Sequence, residues 1–119
     1  MESLNYYLKE RLIVMATQIL TESNFKKEVQ DGVTLVDFWA TWCPPCRMQG
    51  PIVETLAADY AGKAKIAKVD VDQNQNLAAE FGIQSIPTLL VMKDGQLVDQ
   101  MIGLQRKEVL ASQLDAALA

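Results

Sequence analysis

Apolar residues fall along this chain in short runs, and changes in their period mark the elements. Thr17 to Leu20 fits a short edge strand, after which Thr21 or Ser23 is placed to cap a brief helix reaching about Gln30 and stopped by Asp31-Gly32. Thr34 to Ala40 is continuously β-prone and apolar on both faces, the pattern of a central strand covered by helices on either side. Pro44 to Tyr60 reads as a helix, since a first turn has no internal use for its N–H groups and tolerates Pro44 and Pro45. Lys65 to Val71 alternates as a strand, Asn74 to Phe81 forms a short helix stopped by Gly82, and Thr88 to Met92 is the next strand. Asp94-Gly95 is a hairpin signal that joins it to Leu97 to Ile102. Gln105 to Leu118 closes the chain with Val109, Leu110, Leu114 and Leu118 at helical spacing.

The order βαβαβαββα predicts an α/β fold, with a mostly parallel five-stranded sheet, one antiparallel hairpin edge and helices on both faces. A chain of 119 residues supports one core, expected over 15–119. Residues 1–14 are expected to be a poorly ordered extension. Lys9 and Arg11 precede an apolar patch, Leu12 to Ala16, but the patch is too short for a signal peptide and no small-residue cleavage site follows, so export is not expected. No apolar run approaches the roughly 18 to 20 residues that span a bilayer, so no membrane association is expected.

Charge narrows the partners. Fifteen acidic residues against eleven basic give a net charge of −4 with no Lys/Arg block, which argues against nucleic acid. There is no histidine, so the commonest general base and the usual nitrogen ligand of metals are both missing. Two cysteines alone fall short of a zinc site, leaving only metal shared between subunits; no metal is expected.

The two cysteines stand in Trp42-Cys43-Pro44-Pro45-Cys46, where the buried strand becomes a helix. Helix-start N–H groups and the macrodipole place partial positive charge at Cys43, which favours thiolate and makes it the expected nucleophile. Cys46, one turn deeper, is placed to attack the mixed disulfide that Cys43 would form with a substrate. A purely structural disulfide closing so short a loop would contribute only about 2 kcal/mol, against about 4.7 for a loop of 100 residues. Two inert thiols are the remaining bland reading.

Asp37 sits mid-strand in Leu35-Val36-Asp37-Phe38-Trp39, where burial should raise its pKa. It is placed to accept a proton from Cys46. Alternatively it is a structural carboxylate paired with Lys68, the only comparably embedded cation, and the two readings can coexist. Ile86-Pro87 precedes a covered strand, and spacing alone leaves an ordinary trans turn as the default.

These residues together resemble the thioredoxin family from Met15 to Ala119. The carriers are Val36 to Cys43, Pro45-Cys46-Arg47-Met48 with Pro51, Val69-Asp70-Val71-Asp72, Ile86-Pro87-Thr88 and Gly103. The resemblance implies that Pro87 is cis and lies beside the cysteines, and that the Ile86 backbone pairs with an extended substrate segment. It implies a shallow apolar docking surface of Trp42, Pro45, Ile86, Pro87 and Gly103, with Trp39 packed behind the site. It makes Asp37 the buried carboxyl serving Cys46 and Lys68 its neighbour. One departure is Pro44, where the family usually has glycine; a second proline removes an N–H and stiffens the turn, so Pro44 joins Trp39 as an expected influence on redox potential.

The function so implied is reduction of protein disulfides by a cytoplasmic monomer that binds no cofactor and receives electrons from NADPH through a thioredoxin reductase. Expected clients are peroxidases, methionine sulfoxide reductase and ribonucleotide reductase. The alternatives are a specialised disulfide oxidase or isomerase, and a binding module whose thiols are incidental.

Overall fold

In the computed structural model, which describes residues 17–119, the elements are β1 (Gln18–Ile19), α1 (Phe25–Glu28), β2 (Val33–Trp39), α2 (Pro44–Asp59), β3 (Lys65–Asp70), α3 (Gln75–Glu80), β4 (Thr88–Lys93), β5 (Gln96–Ile102) and α4 (Lys107–Leu118). Residues 1–14, read from the sequence as an extension, lie outside the described residues. The sheet order is β1-β3-β2-β4-β5. β1, β3 and β2 pair in parallel, while β4 pairs antiparallel with both β2 and β5. Four strands therefore share one direction and β4 alone opposes them. The hairpin contributes the edge strand β5 and an interior strand, β4.

Period-two alternation sorts the core into two layers. On one face Val33 and Leu35 of β2 join Ile66 of β3 and Leu89 and Val91 of β4 under Val53 and Leu56 of α2 and Leu110 and Leu114 of α4. On the other, Val36 and Phe38 join Val69, Leu90 and Met92 beneath Phe25 of α1 and Leu77 of α3. Leu35, Val36 and Phe38 are all 0% exposed. Burying each such side chain stabilises the fold by about 1.5–3 kcal/mol, so β2 is a firm base for whatever follows it. Continuing the alternation, Asp37, Trp39 and Lys68 fall on the α2 face.

Most element starts fall within a residue of the sequence reading; the first and last helices start later, where side chains claim the backbone first. The first helix begins after Asn24 rather than at Thr21 or Ser23, because Asn24 Oδ1 accepts the Thr21 N–H at 2.7 Å and Thr21 O accepts the Phe25 N–H at 3.0 Å. The last begins at Lys107 rather than Gln105, whose N–H and carbonyl are both bound by Gln49. The hairpin forms as expected, with Asp94 at φ 50° and Gly95 at φ 82°, both left-handed as a two-residue loop of this kind requires.

Candidate active site

The strand β2 delivers the chain through Ala40 to Cys43, which stands at the N-cap of α2 with extended backbone (φ −99°, ψ 107°). Pro44 and Pro45 occupy the first two helical positions and carry no N–H. The first donor the helix offers is therefore the Cys46 N–H, and it points at Cys43 Sγ, 3.3 Å away. That donor and the helix dipole favour negative charge on the Cys43 sulfur. Cys43 and Cys46 are joined in a disulfide.

Exposure does not distinguish the two cysteines: Cys43 is 3% exposed and Cys46 5%. Their surroundings do distinguish them. Cys43 Sγ lies 3.7 Å from the Ile86 carbonyl oxygen, and the adjacent Trp42 is 62% exposed. Cys46 instead lines a cavity of about 200 Å³ together with Asp37, Trp39, Ala40, Thr41, Arg47, Gly50 and Lys68.

Asp37 is 2% exposed, and its Oδ1 makes no hydrogen bond to the protein. Burial pushes its pKa from 3.8 up to about 7, while the Lys68 ammonium pulls the other way. Lys68 sits opposite Asp37 in the parallel register of β2 and β3. Yet the two are not within ion-pair distance; the described residues form two such pairs, Lys65–Glu28 and Lys107–Asp59. The Lys68 ammonium lies 4.9 Å above the Trp39 ring instead, so a neighbouring cation moderates the carboxyl without neutralising it. The sequence reading of a direct pair is corrected on this point.

Ile86-Pro87 is cis, as the family resemblance implies and the residues alone did not. Pro87 is buried and its carbonyl oxygen accepts the Gly103 N–H at 2.8 Å, which brings the two loops side by side. Gly103 has φ +90°, while a Cβ there would meet nothing within 4 Å, so backbone conformation and not space favours glycine. Of the expected docking residues, Trp42 and Pro45 are exposed and Ile86 and Gly103 half-buried. Met48 (63% exposed), Ile102 (63%) and Leu104 (42%) are further exposed apolar side chains close to these residues in the chain, which the sequence reading did not anticipate.

Two polar residues also escaped it. Asp72 Oδ2 accepts the Trp42 indole N–H at 2.8 Å, and the turn carrying Asp72 is held by Asp70 Oδ1, which accepts the Asp72 N–H at 2.9 Å. The Val69-Asp70-Val71-Asp72 run was visible, but nothing in it pointed thirty residues back to Trp42. The second is Gln49, fully buried on α2 and bonded to Gln105. Among the described residues there is no cluster of three or more metal-ligating side chains, and no helix long and apolar enough to cross a membrane.

A family model for thioredoxin matches residues 16–116. A thioredoxin of Staphylococcus haemolyticus (strain JCSC1435) is 57% identical over 104 residues, covering 87% of this chain and 100% of that protein. A thioredoxin of Staphylococcus aureus (strain Mu50 / ATCC 700699) is 56% identical with the same coverage. The solved structure of a mutant thioredoxin from Halobacterium salinarum NRC-1 superposes with a TM-score of 0.79 at 36% identity, over 86% of this chain and 90% of that one. With sulfurs, carboxyl and cis-proline loop arranged as described, and with identity of this depth along the whole domain, the chain belongs to the thioredoxin family and is a thiol–disulfide oxidoreductase that reduces protein disulfides.

Proposed function

We propose that Cys43 is the attacking thiolate, Cys46 the resolving thiol and Asp37 the proton acceptor for Cys46. The observation that carries this reading is the asymmetry around the disulfide: a helix-start N–H directed at Cys43 Sγ, and a shared cavity between Cys46 and a buried carboxyl. In the reduced protein Cys43 thiolate attacks one sulfur of a client disulfide, and the other client sulfur leaves as thiolate. Cys46 then gives its proton to Asp37 and attacks Cys43 Sγ. The second client sulfur departs as thiolate; two electrons have then passed to the client, whose two thiolates take up protons from Asp37 and from solvent.

Trp42, Pro45, Ile86, Pro87 and Gly103 form the docking surface, with the Ile86 carbonyl open to pairing with an extended client segment. Lys68 and Trp39 set the field around Asp37. No bound cofactor takes part, and electrons come from NADPH through a thioredoxin reductase. The clients are cytoplasmic proteins such as peroxidases, methionine sulfoxide reductase and ribonucleotide reductase, and the chain acts as a monomer. In a reducing compartment the poise drives the dithiol to donate electrons, which favours reductase over oxidase or isomerase. The test is NADPH consumption coupled through a thioredoxin reductase to insulin reduction. Turnover is expected; a chain that stays oxidised in a glutathione buffer at cytosolic poise would instead be an oxidase.

Pro44 gives a further prediction. Proline restricts the open dithiol more than the closed disulfide, which is already constrained, and glycine would add an N–H near the first sulfur. Relieving that restriction and adding that N–H both stabilise the reduced form. Pro44→Gly is therefore expected to raise the potential by about 10 to 20 mV, the equivalent of roughly 0.4–1 kcal/mol, with turnover preserved. Equilibration with glutathione measures it, and an unchanged or lowered potential would refute the turn argument.

A further inference from the structure

Gln49, three residues past Cys46 on α2, is 0% exposed, yet both ends of its amide are satisfied by a single residue 56 positions away. Its Oε1 accepts the Gln105 N–H at 2.8 Å and its Nε2 donates to the Gln105 carbonyl oxygen at 3.1 Å. This reproduces with a side chain the paired bonds of a β-ladder, and it fixes a segment that belongs to neither β5 nor α4. The Gln105 side chain then turns back, its Nε2 donating to the Ile102 and Gly103 carbonyl oxygens at 3.2 Å each. Gly103 N–H continues to Pro87 O at 2.8 Å, one residue from the Ile86 carbonyl that lies 3.7 Å from Cys43 Sγ. A chain of hydrogen bonds thus leaves α2 one turn past the disulfide and reaches the loop whose Ile86 carbonyl lies beside Cys43 Sγ.

We propose that Gln49 is a positioning residue for client docking: it locks the 103–105 loop, and through it the Gly103 and Ile86-Pro87 rim, against the helix that carries both sulfurs. An apolar residue at this place would fill the same volume but impose no direction on the loop backbone. A loop left free would have to be ordered by each client as it binds, which weakens association without altering the sulfur chemistry. The inference rests on the proposed docking surface and adds the residue that holds its far side in place.

Gln49→Met preserves volume and removes only the hydrogen bonds. With insulin as client and dithiothreitol keeping the protein reduced, its KM is expected to rise about five- to tenfold while kcat stays within about twofold, the scale of ordering one or two side chains on binding. The rate with a small aromatic disulfide, which needs no rim, is expected to stay within about twofold of the unsubstituted protein. An unchanged KM, or a parallel fall in kcat and in the small-disulfide rate, overturns the proposal; the second result would mean that Gln49 holds the sulfurs themselves. Ile86→Ala separates the two layers of argument. If it raises KM and Gln49→Met does not, only the clamp fails; if it leaves KM unchanged, the docking surface fails and the clamp's role with it. Amide exchange needs no variant: the Gln105 N–H of the unsubstituted protein is expected to exchange at least about a hundredfold slower than a free amide, and exchange at the free rate would remove the clamp.

Discussion

Replacing Cys43 with serine is expected to lower insulin reduction by at least about a thousandfold, because a serine hydroxyl is not ionised near neutral pH and one helix N–H cannot make it a nucleophile. Cys46→Ser is expected to fail differently. Its Cys43 still attacks, no second sulfur resolves the intermediate, and covalent client complexes accumulate that dithiothreitol releases and intact mass resolves. Neither loss is a folding effect. Opening a disulfide between residues three apart removes about 2 kcal/mol from the oxidised form, and the core layers on both faces of β2 are untouched. Trapping by Cys43→Ser instead of Cys46→Ser would reverse the two roles, and sustained turnover by the double serine variant would return the chain to a binding module.

Asp37→Asn is expected to make the oxidised protein more stable at alkaline pH and slower in resolution. The sign follows from linkage. Folding raises the Asp37 pKa from 3.8 to about 7, so between these values the folded chain holds a proton that the unfolded chain has lost. Stability from this group is fully present below about 4 and falls as pH rises to about 7, above which the fold carries an unpaired buried carboxylate. A shift of this size corresponds to about 4 kcal/mol, and an isosteric neutral amide avoids it. Urea melts at pH 4 and pH 9 are expected to differ little at pH 4 and to favour the variant at pH 9. Equal stabilities at pH 9 would show that the carboxyl is not desolvated.

Activity reads the other half of the argument. Removing a positioned proton acceptor typically costs about 100-fold or more, so the resolution step should slow by that order and lose its inflection near pH 7. Stabilisation with undiminished resolution would leave Asp37 a purely structural residue. Lys68→Met supplies the complement, because loss of the moderating cation drives the carboxyl pKa higher and deepens the alkaline instability.

What the sequence by itself determined was local. Apolar periods placed every strand and helix to within a few residues, Asp94-Gly95 named the hairpin, and Cys43 and Cys46 were legible at a strand-to-helix junction because neighbours along the chain carry that signal. Alternation along β2 puts Asp37 on the same side as Leu35, but nothing along the chain says which helix covers that side. The packing of α2 there, and the cavity shared with Cys46, decided it.

Other decisions were equally remote in the chain. The Ile86-Pro87 isomer, the placement of Lys68 over Trp39 rather than in a pair with Asp37, and the bonds from Trp42 to Asp72 and from Gln49 to Gln105 all depend on segments brought together only by the closed sheet. Secondary structure is written in residues a few positions apart, where backbone and side-chain periods act. The chemistry of a buried charge or a buried amide depends on its partners across the fold, and those are chosen by which faces bury together.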